Sequence, residues 1–161
     1  MRKIQLLLIL LLFCRIAFAH NPQVSTISII QQQDKKWSVF ITAPLYTCQL
    51  AIAANFPNSK IDSLNVLATQ DLISVLVENN LIINGNKNIK LTNTKIQLAH
   101  ETTIYFDLAD TIKINKVDFK AFNKLKEHFT LFKIVPLNDT EKSVILNSEN
   151  DYIYSIKDDE K

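Results

Sequence analysis

The 161-residue chain carries 18 Lys and Arg against 16 Asp and Glu, a single glycine, two cysteines and 47% hydrophobic residues. Phosphate-cradling loops, dinucleotide fingerprints and the strained serine elbow all need several glycines close together, so one glycine excludes those enzyme classes. Beyond residue 19 the basic residues are fifteen lysines and no arginine, a formal charge of −1 against the sixteen acids. Without the guanidinium fork or dense positive patches, nucleic acid is not an expected partner.

Residues 1–19 read as a cleaved export signal. Arg2 and Lys3 give a positive start, Ile4 to Phe13 is apolar except for Gln5, and Ala17-Phe18-Ala19 has the small-residue spacing of a signal-peptidase site. The apolar run is short of the ~20 residues that span a bilayer, and Arg15 ends it. Phe13 before Cys14 is too large for a lipidation site. The expected product starts at His20 and is exported to the periplasm or the cell exterior, with no membrane span. Its 142 residues, the full 161 less the leader's 19, suit one domain over 20–156. Residues 157–161 form a charged tail expected to fray.

Val24 to Gln31 alternates, with Ile27 and Ile29 on one face and Val24 and Ile30 on the other, as a strand does. Polar residues 32–36 lead to a second strand with Trp37, Val39 and Ile41 opposite Ser38, Phe40 and Thr42, which predicts an antiparallel hairpin. After Pro44, Leu45 to Ala54 predicts a short helix ending before Pro57. Residues 58–67 fit loop or helix. Thr69 is positioned to cap a second helix with Leu72, Val75 and Leu76 inward and Gln70, Ser74 and Glu78 in water; its β-branched content also leaves a strand open.

Asn84-Gly85 between Leu81–Ile83 and Ile89–Leu91 predicts a tight hairpin, since that dipeptide supplies the positive backbone angles such a turn requires. Residues 95–99 and 103–108 form the next pair, with Ile104, Phe106 and Leu108 on the core face. A strand over 112–119, a polar loop or one helical turn over 120–127, an apolar strand over 129–135, a turn at Asn138-Asp139-Thr140, and strands at 144–146 and 152–156 complete the chain. The expected fold is mostly β: an antiparallel, immunoglobulin-like β-sandwich with one or two inserted helices.

In this order the chain resembles a group of uncharacterised exported bacterial proteins. The shared pieces are His20 with Val24-Ser25-Thr26, the passage from Ala43-Pro44-Leu45 to Leu50-Ala51, and Leu72 through Gly85. It is also similar to the extracytoplasmic N-terminal domain of HupE/UreJ-type membrane proteins. The resemblance implies a small immunoglobulin-like sandwich and carries no established activity. No transmembrane bundle is expected after residue 156, so a transport role is not expected to carry over.

Candidate chemistry is sparse. Cys48, the only cysteine beyond the leader, cannot form an internal disulfide and is expected to be a buried apolar residue. A mature N-terminal His20 offers an amine and an imidazole to Cu(II), with His100 or His128 as the second imidazole. No paired Cys or His stands at zinc spacing. Asp71 and Glu78 fit a solvated helix face, and Asp107 and Asp110 flank a turn. Trp37, Phe40, Tyr105, Phe106, Phe129 and Phe132 are expected to fill the core rather than line a groove. Tyr152 and Tyr154 would offer a protein or glycan partner a contact patch if their shared face is exposed. The resulting expectation is a non-catalytic exported domain that acts by binding or surface interaction and needs no cofactor. A periplasmic copper carrier using His20, His100 and His128 is the alternative.

Overall fold

The computed structural model describes residues 24–59 and 66–156; the expected export signal over 1–19, His20 and the tail over 157–161 lie outside them. Two sheets face one another. The larger has six strands: β1 (Val24–Gln31), β2 (Trp37–Pro44), β4 (Leu91–Gln97), β5 (Glu101–Leu108), β7 (Phe129–Val135) and β8 (Lys142–Leu146), in the order β4-β5-β2-β1-β7-β8. The smaller has β3 (Leu81–Ile83), β6 (Lys116–Phe119) and β9 (Ile153–Ser155), in the order β3-β6-β9. Helices α1 (Leu45–Asn55) and α2 (Val66–Asn80) separate β2 from β3. The mostly β sandwich with two inserted helices is therefore observed.

Strict alternation makes the large sheet two-faced. Ile27 pairs with Ile41, which pairs with Ile104, and all three are buried. The next row, Ser28, Phe40 and Tyr105, points the other way. Six strands present more inner surface than three can cover. The helices close the difference: Cys48, Ala51 and Ile52 of α1 and Ile73, Leu76 and Val77 of α2 join the same core as Phe106, Phe119 and Phe132. Phe132 of the large sheet stacks on Tyr154 of the small one at 4.6 Å, so the sheets meet through aromatic rings.

Local expectations fail in instructive places. The sandwich is not wholly antiparallel, because β1 runs parallel to β7 in the register Val24 to Phe129 through Ile30 to Val135. Helix α2 begins before Thr69, which is buried inside it, and its inward residues are Thr69, Ile73, Leu76 and Val77. Val75, expected inward, is 41% exposed; the buried stripe is rotated towards Ile73 and Val77. Residues 60–65 of the ambiguous stretch lie outside the described residues. No side chain caps α1; the Leu45 N–H donates to the His100 carbonyl at 3.0 Å instead.

The Asn-Gly turn forms with φ of 54° at Asn84 and 81° at Gly85, yet it does not close a hairpin ladder. After the single bridge from Ile83 to Asn86 the chain leaves for the other sheet, and β3 pairs with β6. The strand expected over 112–119 is ordered as β only from Lys116. The polar loop over 120–127 buries Ala121 and Phe122, whose ring packs edge-on against Phe119.

Candidate functional site

Each end of the sandwich holds a different set of groups. At the end where β1 and β7 begin, the parallel register sets Val24 beside Phe129, so His128 stands next to the start of β1. His128 is buried, with Nε2 3.1 Å from Ser25 Oγ, which is itself 2.8 Å from Thr130 Oγ1. Its ring lies 5.0 Å from Phe122, and the Tyr152 hydroxyl donates to its carbonyl at 3.2 Å. These contacts make His128 part of the core.

His100 is exposed in the β4–β5 turn at the same end, but two strands separate β5 from β7. Three interstrand steps of ~4.8 Å put these two histidine positions about 14 Å apart along the sheet. The structure thus brings both to one end without bringing them together. Among the described residues no three His, Cys, Asp or Glu side chains gather at metal-binding distance. The Tyr152 and Tyr154 face is not exposed: Tyr152 is buried and Tyr154 is half-buried beneath Phe132. That pair is therefore no contact patch.

Cys48 is buried, and desolvation pushes its thiol up to about 12. A thiol held protonated is a poor nucleophile or metal ligand. On the outer face of the large sheet, Phe40 lies 4.9 Å from Tyr105, so these two aromatics are not core. Asp107 Oδ1 accepts from Ser38 Oγ at 2.7 Å and from the Tyr105 hydroxyl at 2.6 Å, and its Oδ2 accepts from Asn93 Nδ2 at 2.9 Å. Asn93 reaches it from a bulge in β4, where its φ is 55°. Burial raises the Asp107 carboxyl, but the three donors outweigh it and hold the group below its ordinary value. The Tyr105 hydroxyl is correspondingly raised, chiefly by its bond to Asp107.

A mainly apolar concavity lies at the opposite end, between the two sheets. It is a cavity of about 390 Å³. Trp37 and Ile134 of the large sheet and Ile112 and Ile114, which lead into the small one, make its floor. Trp37, Ile114 and Ile134 are almost fully buried, so little of each faces the opening, while Ile112 and Ile156 are half-buried there. The Trp37 indole donates from Nε1 to the Ile112 carbonyl at 2.7 Å, pinning the 111–115 segment across the gap. Because that segment is not paired as a strand, the sheets do not close over this end.

Lys35, Lys113, Lys142 and Asp139 stand at the mouth. The sequence flagged Trp37 as an aromatic but gave no sign of the cavity. Its walls come from four separate segments, and the lysines are scattered over more than a hundred residues.

Among the described residues no helix is long and apolar enough to cross a membrane. The sequence matches no protein-family model and no curated protein.

Proposed function

We propose that the chain is an exported, non-catalytic binding domain that holds a ligand with an apolar body in the cavity at the open end of the sandwich. The observation that carries this reading is the cavity itself, about 390 Å³ with an apolar floor. Small-molecule sites are typically concave, mostly apolar and roughly 300–1,000 Å³ in volume. The leader-like residues 1–19 support export. Trp37 is the only tryptophan in the chain and lies in the cavity floor, so its emission reports on occupancy without a label. Titration with 1-decanol is expected to shift that emission saturably, and Ile112→Phe, which puts a larger side chain at a half-buried position of the lining, is expected to abolish the shift. Absence of a saturable change in the unsubstituted protein would overturn the reading.

A Cu(II) carrier is the second reading, favoured by one observation. The parallel β1–β7 pair sets His128 beside the start of β1, four residues after His20. Its test is Cu(II) titration of the exported protein, with binding expected to vanish when one residue is left ahead of His20. Equal Cu(II) affinity in the extended protein would overturn it.

A further inference from the structure

The residues lining the cavity carry an excess of positive charge. Positive and negative residues nearly balance over the whole sequence, yet three lysines and one aspartate surround this opening. The lysines arrive independently. Lys35 sits in the β1–β2 turn with a left-handed φ of 66°, Lys113 is in the segment pinned by Trp37, and Lys142 opens β8. Among the described residues the ion pairs within 4.0 Å engage Lys36, Lys120 and Lys133, and none engages Lys35, Lys113 or Lys142.

Asp139 forms no ion pair within 4.0 Å with them and offsets only part of their charge. Its Oδ1 accepts from the Thr140 N–H at 2.7 Å and from the Thr140 hydroxyl at 3.4 Å, within its own turn. An apolar floor beneath three ammonium groups without carboxylate partners is complementary to a molecule with an apolar tail and a negative head. A lysine is a compact point charge on a flexible stem, so the collar suits a carboxylate or a phosphate without demanding the planar geometry that arginine would.

We propose that the ligand of this cavity is an anionic amphiphile, its chain against Trp37, Ile112 and Ile156 and its head group held by Lys35, Lys113 and Lys142. The proposal rests on the reading of the cavity as the ligand site and adds the class of molecule that fills it. An end-on entry follows, with the tail leading and the charge left at the rim in reach of water.

The test compares decanoate, decyl phosphate and 1-decanol on the full exported protein, with Trp37 emission as the readout. At low salt the two anions are expected to bind at least tenfold more tightly than the alcohol, and the advantage is expected to shrink as salt screens the rim. The triple variant K35Q/K113Q/K142Q is expected to lose that preference while binding 1-decanol as before. The single variant Lys95→Gln, on β4, is expected to keep it. The two anionic arms separate the head groups: preference for both supports a general anion collar, and preference for one assigns carboxylate or phosphate.

If no probe binds, the cavity reading itself fails. Equal affinity for the alcohol and the anions would overturn the anionic ligand and leave the cavity reading standing. A preference that survives in the triple variant would overturn the role given to the lysines.

Discussion

Replacing Phe132 with alanine measures how much of the stability resides in the contact between the sheets. The ring is fully buried in β7 and stacks on Tyr154 at 4.6 Å with 29° between the planes. Deleting a buried phenylalanine side chain costs ~3–5 kcal/mol through lost transfer energy and the cavity left behind. The aromatic pair adds ~1 kcal/mol beyond burial. A loss of about 4 kcal/mol is large against the ~5–15 kcal/mol that holds a typical domain folded.

No disulfide among the described residues offsets that loss, since their one cysteine is free. For a domain of this size the loss corresponds to a fall in Tm of roughly 10–15 °C. Urea unfolding followed by Trp37 emission reads it directly, with the midpoint lowered and the slope unchanged. Ile145→Thr is the control: Ile145 is 50% exposed on β8, and the expected change is within ~0.5 kcal/mol. A loss below about 1 kcal/mol for Phe132→Ala, or equal losses in the two variants, would refute the packing argument.

Cys48 is expected to resist a thiol reagent at pH 8 in the folded protein and to react fully in denaturant; rapid native labelling would contradict its burial and raised pKa. Asp107 is held below its ordinary value in the folded state, so it stabilises the fold above the unfolded carboxyl's ~3.9, and that contribution is lost as pH falls through the folded value. Asp107→Asn should therefore cost about 1 kcal/mol at pH 7 and weaken the acid dependence of stability, as urea midpoints from pH 7 to pH 3 will show. An unchanged midpoint at pH 7 would contradict the role given to its three hydrogen bonds. Gly85→Ala faces open space but must adopt a φ of 81°, and is expected to lose about 1 kcal/mol in the same assay.

Periodicity made much of this fold legible. The alternation of β1, β2, β5 and β7 is set by local burial, and Ile27, Ile29, Trp37, Val39, Ile104 and Phe106 point inward as their spacing requires. What a strand pairs with is decided elsewhere in the chain. The Asn84-Gly85 turn formed with the angles its residues favour, but β3 found β6 more than thirty residues on. The parallel pairing of β1 with β7 joins positions more than a hundred residues apart and leaves no local trace.

Tyr152 and Tyr154 illustrate a second limit. A left-handed φ of 58° at Tyr152 breaks the alternation that would place both on one open face. The candidate site was hidden for the same reason as the pairings. Trp37, Ile114, Ile134 and the three lysines come together only through the folded topology, and no two of those lysines are neighbours in sequence. Cys48 was legible because burial alone decides its chemistry.

The most direct measurement of the central claim is contact between ligand and cavity floor. A decanol brominated at its far end carries a heavy atom that quenches indole fluorescence at contact. If the chain enters the cavity tail first, that bromine reaches Trp37. The account predicts saturable quenching that exceeds any effect of unbrominated decanol and disappears in Ile112→Phe. Quenching that rises linearly with concentration, or that is unchanged in Ile112→Phe, would contradict it.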